Sequence, residues 1–219
     1  MEREELIKRY NINIEKLEDE QIKLAKQLEI KDKIDFSLAD RFGAIDTVFI
    51  KNKILCCIIV CDKNYEIIDR AYVFDKLTFP YIAGFRAYRE LPAMIEAFNK
   101  LNEKPDIVFI QGQGIIHPRL GLASHFSLIV GVPSIGISNS VVDCKIEKED
   151  ILFNGKKSGK VLISKSQSNP MYVSPGNQVS VNTAYELSKK FINLPHKLPE
   201  PINLAGKYSR EVKKELIIN

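Results

Sequence analysis

The sequence predicts a mixed α/β fold. Three strand-like apolar runs, Ala44–Ile50, Ile54–Cys61 and Ile67–Phe74, follow one another across short polar turns, the mark of an antiparallel meander. From residue 88 onward, helix-periodic stretches alternate with short apolar runs, and that alternation requires crossover connections and parallel strands. The 219 residues are 45% hydrophobic and 27% charged, a globular balance that excludes disorder, collagen-like repeats and a coiled coil.

The elements follow in order. Ile14, Leu17, Ile22, Leu24, Ala25 and Leu28 make an apolar stripe among Glu and Lys, which predicts a helix over 14–28. Asn52 and Asp62-Lys63-Asn64 supply the two meander turns. The middle strand is apolar throughout, as expected of a strand covered on both faces. Tyr88, Leu91, Ile95 and Phe98 predict a second helix, with Pro92 in its first turn, where a missing N–H costs little. Ile107–Ile110 is a short buried strand running into Gln111-Gly112-Gln113-Gly114. A helix over about 121–131 and a strand over Pro133–Ile137 come next. Ile151–Phe153, Asn154-Gly155 and Val161–Ile163 predict a hairpin. A short strand over Pro170–Ser174 follows, then a helix beginning near Ser180 and a final amphipathic helix from Ile202 that carries Leu204, Tyr208, Val212 and Leu216. No repeat or flexible linker divides the chain, so one domain over 1–219 is expected.

Composition narrows the function classes. Lys+Arg 32 against Asp+Glu 28 gives a net charge of +4, which permits a polyanionic partner without demanding one. The longest apolar run, Ile54 to Cys61, spans eight residues, far short of the roughly 20 a membrane helix needs. Met1-Glu2-Arg3-Glu4-Glu5 is charged and unlike a signal peptide. The expectation is a soluble cytoplasmic protein. Cys56, Cys57 and Cys61 share one apolar run, and Cys144 stands alone without metal-finger spacing, so buried thiols are expected rather than zinc.

Several segments carry chemical potential. Phe79-Pro80-Tyr81-Ile82-Ala83-Gly84-Phe85 is a stiff aromatic loop between a strand and a helix. It is either packed upon itself or presents Tyr81 as a wedge for a base stack. Gln111-Gly112-Gln113-Gly114 lacks the Lys-Ser/Thr of a phosphate loop. His117-Pro118-Arg119 and Ser124-His125 are near neighbours, but Ser124 and His125 would diverge by about 100° on one helix and form no triad. Asp46 interrupts an apolar strand, and Glu90 lies near a helix start. Two such carboxylates brought together could hold Mg²⁺.

Taken together, these segments resemble the endonuclease V family of deoxyinosine 3′-endonucleases, over about residues 15 to 214. The aromatic loop, Tyr88-Arg89-Glu90-Leu91-Pro92, Lys104-Pro105-Asp106, His117 through His125, Val132 through Ile137, Ser174-Pro175-Gly176 and Leu198-Pro199-Glu200-Pro201 carry the resemblance. It implies a ribonuclease-H-like mixed sheet and a Mg²⁺-dependent nuclease that cuts one nucleotide 3′ to a deaminated base in DNA repair. By position, Asp46 and Glu90 match metal-binding carboxylates and Tyr81 the wedge. Gly84, Gly114, His117 and Gly121 match the region that receives the flipped base. The implied partner is DNA or RNA with a deaminated base, bound by a monomer.

The resemblance breaks at chemistry-bearing positions. Gln111 stands where the family has a metal-binding Asp, Asn139 where it has Lys, and Asn177 where Pro-Gly is followed by His. Amides keep shape and hydrogen bonding but remove charge. Losing a carboxylate about 4 Å from a divalent ion forfeits several kcal/mol at an effective dielectric of about 20. Three readings stay open: an active enzyme with a substitute ligand from Asp40, Asp106 or Asp143; a binding module that cleaves weakly or not at all; and a regulatory or structural paralogue.

Overall fold

In the computed structural model, residues 3–218 are described. The helices are α1 (Arg3–Arg9), α2 (Ile14–Ala25), α3 (Arg86–Asn99), α4 (Leu122–Val130), α5 (Val181–Lys190) and α6 (Glu200–Ile218). The strands are β1 (Phe42–Ile50), β2 (Lys53–Cys61), β3 (Ile67–Lys76), β4 (Ile107–Gln111), β5 (Ser134–Ser138), β6 (Cys144–Glu147), β7 (Asp150–Phe153), β8 (Lys156–Leu162) and β9 (Met171–Asn177). They form one nine-stranded sheet in the order β3-β2-β1-β4-β5-β9-β8-β7-β6. β1, β2 and β3 are the expected antiparallel meander, β1, β4 and β5 run parallel, and β9 returns antiparallel to β5. This is the mixed sheet flanked by helices that the sequence predicts.

Strand alternation sorts the core into two layers. Ala44, Leu55, Cys57 and Phe109 face α5 and α6, where Ala184, Leu187, Ile202, Ala205 and Val212 meet them. Ile45, Cys56, Ile58 and Val108 face α3 and α4, against Leu91, Met94, Ala97 and Phe126. β2 is buried from Ile54 to Cys61 because it has a helix over each face. Adjacent Cys56 and Cys57 fall in opposite layers, as strand alternation dictates, and burial pushes the Cys57 and Cys61 thiols up to about 12. The Asn154-Gly155 turn has positive φ at both residues (50° and 73°), as a two-residue hairpin between β7 and β8 requires. Ser180 caps α5 by accepting from the Thr183 N–H.

The structure departs from the sequence reading at several elements: α2 ends at Ala25 rather than 28, and β8 begins at Lys156 rather than Val161. α1 was not anticipated; it buries no residue, so no apolar stripe betrays it. β6 is an edge strand with no buried residue, and its Cys144-Lys145-Ile146-Glu147 lacks a strand-like apolar run. Pro92 sits two turns into α3 rather than in its first turn, on the exposed face where a lost backbone bond is solvated. In α2 the buried residue is Gln21, while Ile22 is 47% exposed. The amide is buried because it is bonded at both ends: Nε2 donates to the Gly84 and Leu120 carbonyls and Oε1 accepts from Arg119 Nε.

The loop from β4 to α4 crosses its own backbone at Gly121. A Cβ there would stand 2.2 Å from the carbonyl oxygens of both Gln113 and Gly114. Replacement Gly121→Ala is expected to destabilise the fold by about 2 kcal/mol or more, read as a lower urea midpoint. A fully stable variant would contradict this crossing.

Candidate functional site

A cleft of about 370 Å³ opens where β4 and β5 end, beneath the loop that leads into α3. Tyr81, Gly84, Arg86, Gln111, Gln113, His117, Ser138 and Asn139 stand around it. An inner pocket of about 50 Å³ continues below, lined by Asp46, Thr47, Arg86, Glu90 and Gln111. Arg86, Gln111 and Leu122 belong to both cavities and form the wall between them.

The aromatic loop is anchored at three points and exposed at Tyr81 and Ala83. Pro80, Ile82 and Phe85 are buried, whereas Tyr81 is 64% exposed and stands at the cleft rim. Gly84 turns the chain with φ +82°, in the left-handed region that glycine occupies at no steric cost. Its carbonyl accepts from Gln21 Nε2 at 3.1 Å and from Arg119 Nη2 at 3.5 Å. Arg119 also donates Nε to Gln21 Oε1 at 2.7 Å, pairs with Glu18 at 3.1 Å and lies over the Phe85 ring. Gln21 and Arg119 thus tie three separate segments together: α2, the aromatic loop and the turn after β4.

His117 is held by the same knot. Its Nδ1 accepts the Arg119 backbone N–H at 3.1 Å, so the ring proton lies on Nε2. Burial, and then the Arg119 guanidinium, push its pKa down to about 4. His117 is therefore a neutral N–H donor in the cleft. His125 on α4 is pushed down to about 4 by burial alone, and its Nδ1 has no hydrogen-bond partner. Its ring packs edge-on against Tyr88 at 5.6 Å between centroids.

The acidic pair is held from opposite sides of β1. Asp46 accepts from Ser209 Oγ on α6, on the layer of α5 and α6. Thr47, the next residue, points the other way and donates to Glu90 Oε2 at 3.0 Å. Glu90 is 2% exposed and is gripped by Arg86, one turn earlier on α3. Arg86 Nε meets Glu90 Oε1, Nη2 meets Oε2 at 2.9 Å, and Nη1 donates to the Gln111 carbonyl at 2.8 Å. A two-pronged guanidinium–carboxylate pair is among the stronger charge-assisted contacts.

These residues do not fit a divalent ion. The Gln111 amide brings no charge, and Asp46 and Glu90 are engaged by separate partners. Both Glu90 oxygens accept from the Arg86 guanidinium. Among the described residues, no three His, Cys, Asp or Glu side chains gather as a metal cluster. Asp40, Asp106 and Asp143 do not line the pocket. Asp106 instead accepts the Asp40 and Arg41 backbone N–H groups, before the start of β4 and at the far end from Gln111.

The sequence-derived residues divide accordingly. Tyr81, Gly84, His117, Gln111 and Asn139 share the cleft, and Asp46, Glu90 and Gln111 share the pocket. Gly114 and Gly121 lie behind the cleft wall as tight backbone crossings. Asn177 is not brought to the cleft. It pairs with Ser134 at the opposite end of β5, is 3% exposed, and accepts the Glu29 backbone N–H at 2.8 Å. It acts as a fastener for the segment after α2. Sequence reading missed Arg86, Thr47, Ser209 and Gln21. For Arg86 a signal existed: Glu90 sits among Ala87, Leu91 and Met94 on a buried helix face, and Arg86 is its i−4 neighbour.

Fold and site together define a mixed-sheet α/β protein with an acidic pocket and an aromatic-rimmed cleft at one end of its parallel strands. The sequence profile of the Endonuclease V family matches residues 22–207. Endonuclease V of Thermosipho melanesiensis is 40% identical over 182 residues, covering 79% of this chain and 80% of that one. The crystal structure of Bacillus subtilis endonuclease V superposes with a TM-score of 0.86 at 26% identity, over 96% of each chain. Endonuclease V of Ciona intestinalis, solved with a 24mer DNA containing an inosine followed by a ribo-adenosine, superposes at 0.83 with 22% identity, over 93% of this chain and 98% of that one. The chain belongs to the endonuclease V family.

Two outcomes test the site. Arg86→Leu strands the buried Glu90 charge and is expected to cost about 3 kcal/mol. Adding Glu90→Gln should restore most of that loss in a double-mutant cycle of urea midpoints; additive losses would mean the pair is not coupled. The second outcome concerns pH. His117 and His125 titrate near 4 when folded against 6.5 in the unfolded chain. Above 6.5 both states are neutral and their contribution is complete. As pH falls from 6.5 to 4, only the unfolded chain takes up the protons, so stability is lost across that window, by up to about 3 kcal/mol per histidine. His125→Phe should flatten this slope measurably.

Proposed function

We propose that this protein binds inosine-containing nucleic acid in the cleft, with its cleavage of the phosphodiester 3′ to the lesion strongly impaired. The observation that carries this reading is the contrast between the two cavities. The upper cleft keeps an exposed Tyr81, a neutral His117 donor and a glycine-lined backbone. The inner pocket has an amide at Gln111 and a guanidinium on Glu90. Recognition equipment is present, and hydrolytic equipment is weakened.

The expected division of labour follows from side-chain chemistry. Tyr81 fills the gap left when the base leaves the stack. His117 Nε2–H offers a donor to an acceptor on the base edge. Gly84 lets the base approach the cleft wall closely, while Gly114 and Gly121 act behind it by letting the backbone cross tightly. Asp46 and Glu90 would be the carboxylates left to hold Mg²⁺, and with Ser209 and Arg86 engaging them they would hold it weakly or not at all. The Ciona protein solved with inosine-containing DNA supports the choice of ligand class. Among the described residues, no helix is long and apolar enough to cross a membrane. The reading is completed by a single-domain, cytoplasmic monomer acting in DNA repair.

A second reading, an active Mg²⁺-dependent deoxyinosine 3′-endonuclease, draws on Asp46, Glu90 and Gln111 lining one pocket and on the 40% identity to the Thermosipho enzyme. One assay separates the two: incubate the protein with a deoxyinosine oligonucleotide and Mg²⁺ or Mn²⁺, and score retention and nicking together. Retention with little nicking is expected. Brisk metal-dependent nicking would replace the first reading with the second, and neither retention nor nicking would leave a regulatory or structural role. Tyr81→Ala should weaken retention about 5- to 100-fold, since a base–aromatic stack contributes about 1–3 kcal/mol, while leaving the urea midpoint unchanged because the ring is exposed.

A further inference from the structure

Arg86 uses three of its N–H groups on Glu90 and the Gln111 carbonyl. A guanidinium has five. Two therefore remain, one on each terminal nitrogen. The side chain is 41% exposed and stands in the wall shared by the cleft and the inner pocket. A positive group thus occupies the position between Glu90, Gln111 and the open cleft, and it is tethered to the chain rather than drawn from solution. Asp46, Glu90 and Arg86 together leave one net negative charge around the pocket, too little to extract a divalent ion from water.

We propose that Arg86 is a built-in substitute for a divalent cation: it neutralises Glu90 and offers its two remaining N–H donors to phosphodiester oxygens of a strand lying in the cleft. Strand binding then needs no metal. The planar fork suits this role, because guanidinium–phosphate contacts are two-pronged and keep their charge at every accessible pH. The arrangement also sets what would be needed to build a metal site here. Gln111→Asp alone would hand Arg86 a second carboxylate, since the guanidinium already touches residue 111. Arg86 would have to be removed as well.

The proposal deepens the nucleic-acid reading and rests on it for the ligand class. Binding of a deoxyinosine oligonucleotide is measured with chelator and with Mg²⁺, across a salt series, alongside a matched oligonucleotide carrying adenine. Wild-type affinity should be the same with and without divalent ion. Arg86→Leu should weaken both oligonucleotides alike, by about 10- to 100-fold, and reduce the slope of log K against log salt by about 0.7–0.9, the signature of one lost phosphate contact. If Arg86→Leu fails to fold, Arg86→Leu with Glu90→Gln compared against Glu90→Gln alone gives the same readout without a stranded buried charge. A second measurement needs no nucleic acid: Mn²⁺ should leave the melting temperature of the wild type and of Gln111→Asp unchanged, and should raise that of Arg86→Leu with Gln111→Asp. Chelator-sensitive binding, an unchanged salt slope in the Arg86 variant, or a Mn²⁺ response from Gln111→Asp alone would each overturn the proposal. Equal affinity for the inosine and adenine oligonucleotides would sink the inosine reading alone, leaving the Arg86 contact to be judged on the salt slope.

Discussion

A carboxylate at 2% exposure needs a counter-charge, and in this protein the counter-charge to Glu90 comes from one turn earlier on the same helix. The Arg86–Glu90 pair is the constraint around which the centre of the sheet is arranged. Through Thr47 it fastens α3 to β1, and through the Gln111 carbonyl it fastens the same turn to the end of β4. The start of α3, and with it the aromatic loop, therefore has a fixed position over the parallel strands. Burying an ion pair brings little net stability by itself, but removing either partner is costly. The pair fixes geometry more than it adds stability.

A second polar device holds the front of the cleft. Gln21 and Arg119 bind one another and share the Gly84 carbonyl, so a helix, a loop and a turn far apart in the chain meet at one point. With Pro80, Ile82 and Phe85 buried, Tyr81 is left pointing outward. An exposed aromatic on a braced loop keeps its ring available at small entropic cost. His117 owes its neutral state first to burial and then to Arg119, the residue that braces the loop, and its tautomer to the Arg119 backbone N–H. The cleft histidine and the loop scaffold are thus coupled through one arginine.

The meander was legible in the sequence because its apolar runs are long, its turns polar and its middle strand unbroken. The β7–β8 hairpin was legible because Asn154-Gly155 is a local conformational signal. The Tyr88–Phe98 periodicity marks α3 but not its start, because Pro92 is a first-turn signal while the helix begins at Arg86. β6 was missed because an exposed edge strand has no buried side chains to give it a period. The site was legible as a list of residues and not as a grouping. Tyr81, Gly84, His117, Gln111 and Asn139 do share one cleft, whereas Asn177 lies at the other end of β5.

What the sequence by itself determined is the class of fold, the family, and the chemical character of each position, because periodicity, turn residues and charge are properties of the chain read in order. What only the tertiary structure decided is which groups meet. That Asp46 and Glu90 are held from opposite sides of β1, that Gln21 is buried in place of Ile22, and that Arg86 stands between Glu90 and Gln111 follow from strand alternation and helix packing in three dimensions. The physical reason is that hydrogen bonds and ion pairs act over about 3 Å, and the chain brings residues from distant segments to that distance only when the sheet is assembled.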